Sequence, residues 1–424
     1  MVCPTRLTKA TTAENPTTAT EARRATPGMP RDHGGSIMLQ IAAVFTAGFC
    51  TFINMYAPQA FLPMLAIDLG TTAALVGLSI TVTLLAVALI APVAGAISDR
   101  LGRKRLIVTA CVCAVVPSML IATSQSLPML LLWRFILGLM LPFIFTVTVA
   151  YVADEFSGAD SIRVSGIYAS GSIFGGFLGR FLGGLIADFS GWRGVFVVLA
   201  VITGLGAAFV WRFLPRERRF RPVSGGFVGT LSAYREHLRN RRLLGTCALG
   251  FGMLFSQVAC FTFVNFQLAA PPFNLSTSQL GSVFAVYLLG MVTTPLATRV
   301  TVRAGRTNAL VAACSTSAMG LALTLSPMLW AVVAGLALLA GGLFLVQALS
   351  MGFIGTAVPR ARSSAVGLYV TSFYIGGAVG GVLPGVAWHQ FGWPGVVACI
   401  LVVLALMVTI GLRTWRPIDT ANPT

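Results

Sequence analysis

Two arginines stand where arginine is costly. Arg134 in LLLWRFILG and Arg180 in GGFLGRFLGG each lie inside a long apolar run. On insertion scales an arginine at the centre of a membrane helix costs roughly 2.5–3.5 kcal/mol, so each needs a reason to be there. The candidates are an anion, an acidic side chain or backbone carbonyls. Two buried guanidinium groups at similar depth could also share one anion. A second concentration of chemistry is GAISDRLGRKRL, Gly95 to Leu106, where five of the seven residues from Asp99 to Arg105 are charged and apolar runs lie on both sides. Its chemistry is ion pairing and helix-end capping. Catalytic chemistry is harder to assemble. His33, His237 and His389 all fall outside the apolar runs, so a Ser–His pair or a zinc protease lacks its base or its ligands. There is no phosphate-cradling P-loop. Cys111 and Cys113 form a CxC without a partner cluster for a metal, and with Cys50, Cys247, Cys260, Cys314 and Cys399 they read as small apolar packers. No enzyme, no cofactor and no metal is expected.

The elements that position these groups are set by composition. Of 424 residues, 56% are hydrophobic and 10% charged, with mean hydropathy +0.85. That is too little charge to cover a soluble domain of this length. Apolar runs near 20 residues, the length that spans a bilayer, recur throughout. Twelve spans are predicted, near 37–58, 73–97, 106–124, 128–152, 164–187, 192–212, 243–268, 278–299, 307–326, 328–352, 364–386 and 392–413. Residues 1–36 are rich in Thr, Ala, Pro and Arg and read as a flexible tail without the apolar core of a signal peptide, with Met29 and Met38 as alternative starts. Residues 213–242 form a basic loop and 414–424 a second tail.

The net charge of +17 is not a nucleic-acid signal, because the cations sit in short loops between spans. Loops 98–105, 153–163, 213–242, 300–306 and 353–363, with the tails, hold nearly every Lys and Arg; the alternate loops hold Arg193. The positive-inside rule then places both termini in the cytoplasm and the chain in an inner or plasma membrane. The NLS at Asn274 is a glycosylation sequon that chance explains.

The chain also repeats itself. VSGIYASGSIFGGFLGRFLGGLIADFSGW (164–192) aligns without a gap on AVGLYVTSFYIGGAVGGVLPGVAWHQFGW (365–393). Gly166, Tyr168, Gly175, Gly176, Gly179, Gly184, Gly191 and Trp192 meet Gly367, Tyr369, Gly376, Gly377, Gly380, Gly385, Gly392 and Trp393, always 201 positions apart. The predicted architecture is therefore an all-α integral membrane protein of two pseudo-symmetric six-helix bundles, 37–212 and 243–413. Internal duplication of this kind is characteristic of transporters.

Gly95, Asp99, Arg100, Gly102, Arg103 and Lys104 match the GxxxDRxGRR/K signature between spans two and three of the major facilitator superfamily, which this chain resembles over everything but its tails. The residues themselves suggest a gate. Gly95 would let two helices close tightly, Gly102 would permit the turn, and Asp99 could face the positive end of another helix. The resemblance makes that helix the eleventh span, which begins near Ser363 and Ser364. The arginines could pair with Asp154 and Glu155, completing a cytoplasmic latch. In the second half TRVTVRAGR keeps Arg303, Gly305 and Arg306 but has Val302 in the aspartate's place.

Arg134 with Gly138 resembles the family's span-four RxxxG motif, whose arginine is tied to proton coupling in antiporters. Around Arg180, the glycines Gly171, Gly175, Gly179, Gly183 and Gly184 keep a close-packed face like the span-five motif of efflux members, with arginine in place of the motif's proline. Gly376 and Gly380 repeat that face in the second half. Asp68 and Asp188 are the acids nearest to Arg180, both near the outer ends of their spans, which leaves a substrate anion, Asp188 or backbone as its partner. Asn54, Tyr56, Gln59, Gln257, Asn265, Tyr287, Gln347, Tyr369 and Tyr374 could line a polar, aromatic pocket near the midplane. The resemblance implies secondary active transport by alternating access, with proton-coupled efflux of drug-like or sugar-like compounds as the first reading. Uptake or exchange of a small organic anion held by Arg134 and Arg180 is the alternative, and a non-transporting sensor or a membrane enzyme a distant one. The expected partners are the lipid bilayer and a small-molecule substrate, on a monomer.

Overall fold

The computed structural model of the chain describes residues 33–217, 236–358 and 362–415. Most of the expected N-terminal tail, the middle of loop 213–242 and the C-terminal tail from 416 lie outside the described residues. The unit treated below starts at Leu39; the residues up to Met38 form a unit of their own. The described residues contain no strand. The helices are α1 (His33–Met55), α2 (Leu62–Asp68), α3 (Ala73–Leu101), α4 (Arg103–Ala122), α5 (Leu127–Glu155), α6 (Gly158–Phe213), α7 (Arg241–Ala269), α8 (Thr277–Val283), α9 (Gly290–Ala304), α10 (Arg306–Leu323), α11 (Leu329–Ala357), α12 (Arg362–Gly380) and α13 (Pro384–Thr414). Short 3-10 turns, Ala57–Phe61 and Phe284–Leu289, join α1 to α2 and α8 to α9.

Among the described residues nine helical segments are long and apolar enough to cross a membrane. Two of them are bent by a non-helical glycine: Gly191 (φ 71°) within the 56-residue α6, and Gly392 (φ 60°) within α13. Each is followed by a tryptophan whose ring N–H is anchored. Trp192 donates to Asp68 at 2.8 Å, and Trp393 to the Thr324 hydroxyl at 3.1 Å. Helix starts are capped by their own sequence, as where Asn240 accepts from the N–H of Arg242 at 3.0 Å and of Leu243 at 3.2 Å. α7 lies at the centre, with every residue from Gly252 to Asn265 buried.

Glycines set the closest helix pairs. A Cβ on Gly171 or Gly175 would stand 2.6 or 2.5 Å from the carbonyl oxygens of Phe45 and Phe49, and one on Gly179 would strike the carbonyl of Ile53. Thus α6 lies directly on the backbone of α1. The same knuckle recurs where Gly376 and Gly380 of α12 meet the carbonyls of Phe251 and Phe255 of α7. Gly138 likewise seats α5 on α3, 2.6 Å from the Thr83 carbonyl. In an apolar solvent that gives helices no hydrophobic drive to associate, such backbone approach is a main source of packing energy.

Candidate functional site

The charged knot folds into a staple at one end of the helices. Gly102 has φ 89° and ψ 144°, a conformation open to glycine, and it lets α3 turn directly into α4. Arg103 then ties three helices together. Its Nη2 meets Asp99 at 2.6 Å at the end of α3, and its Nε meets Asp154 at 3.1 Å at the end of α5. Glu155 lies beside it, half-buried, while Arg100 is exposed. Glu217, not among the residues expected at this gate, completes the staple. Its carboxylate accepts the N–H of Arg103 at 2.8 Å and of Lys104 at 3.3 Å, capping the positive start of α4. The only signal for Glu217 was an acid within a basic loop.

Among the described residues Asp99 pairs with Arg103 of its own loop; its expected grip on the start of α12 falls on side chains outside the described residues, Ser363 among them. Gly95, expected to sit in a tight helix contact, has nothing within 4 Å of where its Cβ would be. Gly166 of α6 and Gly352 and Gly355 of α11, toward the same end, are equally open. At the opposite end the two halves of the chain close on each other. A Cβ on Gly77 would stand 2.6 Å from the Gly381 carbonyl, and one on Gly385 2.6 Å from the Ala74 side chain. The Thr81 hydroxyl donates to the Ala378 carbonyl at 2.8 Å. Asp188 accepts the N–H of Thr277 at 3.1 Å and of Ser278 at 2.9 Å, capping α8 from the far half.

Arg134 is wholly buried and each of its three nitrogen groups faces a backbone carbonyl. The reason lies in α1. Pro58 has no N–H to offer the Asn54 carbonyl, and the Gln59 N–H turns to Tyr56 at 3.1 Å instead of Met55. Arg134 supplies the missing donors, Nη1 to Asn54 at 2.8 Å and Nη2 to Met55 at 2.7 Å, while Nε reaches Ser79 at 3.1 Å. It is a side-chain cap on a broken helix, a cation at the helix's negative end. Asn54 itself is a packing node. Its amide donates to Cys50 at 2.8 Å and Thr203 at 2.7 Å, and accepts from Ser118 at 3.4 Å.

Arg180 sits differently. It is 2% exposed, and among the described residues no acid pairs with it. Its side chain runs one turn back along α6, where Nη1 donates to the Gly176 carbonyl at 2.5 Å. Nε donates to Gln59 Oε1 at 2.7 Å, and the Gln59 amide donates in turn to Thr262 of α7 at 3.3 Å. Three rings wall the guanidinium: Tyr56 and Tyr287 at 4.5 Å and Phe284 at 5.1 Å. Asp188 is engaged at α8, and Asp68 with Trp192 and, at 2.9 Å, Arg193. The partners of Arg180 are thus backbone, an amide and aromatic faces.

The other pocket candidates are scattered around this point. Tyr374 packs at 5.8 Å, tilted by 45°, against Phe145 of the other half, and Phe145 lies 6.2 Å from Phe52, making an aromatic wall across the centre. Asn265 donates to the Phe261 carbonyl of its own helix at 2.6 Å. Gln257 is buried on α7, and Gln347 half-buried on α11. A Cβ on Gly183 would stand 3.1 Å from the Phe61 ring, and one on Gly184 would strike the Thr277 carbonyl. Among the described residues no three His, Cys, Asp or Glu side chains come together as a metal site would require.

Long apolar helices, glycine-knuckled pairs and buried cations define a multi-pass membrane protein of the transporter class. The chain belongs to the Major Facilitator Superfamily, whose family model matches residues 44–270 and again 258–423. It is similar to the inner membrane transport protein YnfM of Escherichia coli (strain K12), 33% identical over 376 residues that cover 88% of this chain and 90% of that protein. Its fold is similar to that of a mutant of the nucleoside transporter NupG, with TM-score 0.75 and 14% identity over 89% of this chain and all of that one. It is also similar to the human organic anion transporter MFSD10, with TM-score 0.65 and 18% identity over 88% of this chain and 99% of that one.

Proposed function

We propose that this protein is a secondary transporter of a small molecule, in which two six-helix bundles rock about a shared central site to expose it to each side of the membrane in turn. The observation that carries this reading is the asymmetry between the two ends. The halves are in close contact at the Asp188 end, whereas at the other, among the described residues, a Cβ on Gly95, Gly166 or Gly352 would meet nothing within 4 Å. On the positive-inside count the open end and both termini would be cytoplasmic, in an inner or plasma membrane. Splitting α6 at Gly191 and counting α10 and α12 as spans, with the part of α13 before Gly392 completing the span that α12 begins, supports twelve crossings. In the opposite conformation Asp99 would swing from Arg103 to the start of α12 and bolt the cytoplasmic side.

The family resemblance favours proton-coupled efflux of a drug-like or sugar-like compound. One observation favours the second reading, transport of a small organic anion: the centre holds a buried cation, Arg180, that no acid among the described residues neutralises. The fold alone does not choose, since it is shared with a nucleoside transporter and with an organic anion transporter. Arg134, committed to three carbonyls, is left out of the anion site. Flux in proteoliposomes, with the pH gradient intact or collapsed, tests both readings on one panel. Saturable flux of anions but not of cationic dyes supports the second; dye export driven by the gradient supports the first; no flux of any compound sinks transport.

A further inference from the structure

The Arg180 cage has features that narrow the ligand beyond its sign. The guanidinium uses Nε on Gln59 and Nη1 on Gly176, and Nη2 has no hydrogen-bond partner among the described residues. Its donors are therefore neither saturated nor splayed for a second arginine, and one edge of the fork remains for one acceptor group. The walls are aromatic on both sides of the molecular midline: Tyr56 from the first half, Phe284 and Tyr287 from the second. Rings at 4.5–5.1 Å hold a cation through their faces, and a desolvated pair of this kind is worth about 2 kcal/mol or more. They also offer flat apolar surface beside the open edge. Tyr287 packs at 4.6 Å on Phe261 and at 5.9 Å on Phe344, so the aromatic lining continues away from the cation. Phe52, Phe145 and Tyr374 supply more of it on the central wall.

Resting on the anion reading above, we infer that Arg180 binds the carboxylate of a singly charged aromatic acid, whose ring lies on the Tyr56–Tyr287–Phe284 lining. One guanidinium without a neighbouring cation suits one carboxylate and disfavours a phosphate or a dicarboxylate, each of which would leave charge uncompensated in a low-dielectric site. Sugars and cationic dyes fit poorly. A sugar offers no charge to Nη2, and a dye would place a second cation against the first. Because the rings come from both halves, a carboxylate that draws on Arg180 alters a contact shared by both.

The test uses the purified full-length protein and matched probes: benzoate, its neutral amide benzamide, and benzylamine. Binding is read by intrinsic tryptophan fluorescence and by thermal shift. The expected result is benzoate binding at least about tenfold tighter than benzamide, with benzylamine not competing; tenfold corresponds to about 1.4 kcal/mol. This comparison needs no variant. Arg180→Gln should abolish the preference for the acid, and Arg180→Lys should keep part of it, while Tyr287→Leu should weaken acid and amide alike. Equal affinity for benzoate and benzamide, no binding of benzoate, or an acid preference that survives in Arg180→Gln would overturn the inference. Counterflow of labelled benzoate in proteoliposomes separates this from transport itself. Arg180-dependent binding without counterflow supports the site and sinks the transport reading. Flux of other compounds without an acid preference does the reverse.

Discussion

The two halves share a skeleton and differ in where they put charge. Gly175 and Gly179 press α6 onto the carbonyls of Phe49 and Ile53; Gly376 and Gly380, each 201 residues later, press α12 onto those of Phe251 and Phe255. Yet Arg180 is matched by Gly381, which closes beside Gly77 at the sealed end. LWRFILGL (132–139) is matched by LWAVVAGL (329–336), where Ala331 replaces Arg134. The helix that Arg134 serves differs in the same sense. α1 stops at Met55 before Pro58, whereas α7 runs unbroken from Arg241 to Ala269. A break and its arginine occur together in one half, and neither occurs in the other. Arg134 is thus explained by the backbone it caps, and Arg180, with no such backbone debt, is the cation left for a ligand.

The largest effect expected from this comparison follows removal of Arg134. Arg134→Ala leaves the carbonyls of Asn54 and Met55 buried without the donors it supplies, while the Ser79 carbonyl keeps the Thr83 hydroxyl. Each orphaned acceptor costs roughly 1–3 kcal/mol, so several kcal/mol of stability should be lost. The thermal unfolding temperature of the detergent-purified variant should fall well below that of the parent. Pro58→Ala returns an N–H to the Asn54 carbonyl and should recover part of the loss in the double variant. Ala331→Gly, the matching site in the second half, should cost only about the helix-propensity difference of 1 kcal/mol. An Arg134→Ala protein as stable as the parent would return the residue to the coupling role its motif suggests.

Next in size are the glycine knuckles, where the halves should behave alike. Gly175→Ala and Gly376→Ala both drive a methyl group into a carbonyl across the helix pair, and overpacking of this kind costs about 1–3 kcal/mol. Gly95→Ala, with open space around it here, should leave unfolding unchanged. If the cytoplasmic end closes during transport, the same variant should slow flux, read in proteoliposomes against the parent. Gly95→Ala with both stability and flux unaltered would remove that glycine from the gate.

How much was legible beforehand follows from which signals are local. Apolar runs and loop charge located the spans, because bilayer thickness fixes their length and the loops their flanks. The glycine register was visible because a close backbone approach tolerates so few residue types. The partners of Arg134 were not visible: Pro58 lies 76 positions earlier, and only the fold brings its orphaned carbonyls to α5. The aromatic cage of Arg180 draws on two separated segments, Tyr56 in one and Phe284 and Tyr287 in the other, and Phe284 gave no signal distinct from ordinary core. The state of the gate was illegible in principle, since one sequence encodes both the Asp99–Arg103 pair seen here and any contact Asp99 makes when the ends exchange.

The smallest effect concerns the staple itself. Asp99 and Asp154 are 38% and 40% exposed, and exposed pairs contribute about 0–1 kcal/mol each. Asp99→Asn should therefore barely change unfolding. Glu217→Gln should cost slightly more, because its carboxylate caps two N–H groups at a helix start, where the dipole adds about 0.3–1 kcal/mol. The second half has no aspartate at this turn: Val302 is 81% exposed and Gly305 repeats the positive φ. Val302→Asp would place a carboxylate four residues before Arg306, as Asp99 stands before Arg103, without changing the packing. Its effect on stability should be a few tenths of a kcal/mol at most. Its effect on flux separates two roles for the motif. If the aspartate only steadies its own loop, Val302→Asp cannot rescue the flux lost in Asp99→Asn. If it works by gripping a helix of the other half, a second grip placed symmetrically should restore part of that flux, and the one-sidedness of the present arrangement would be a matter of sequence rather than of mechanism.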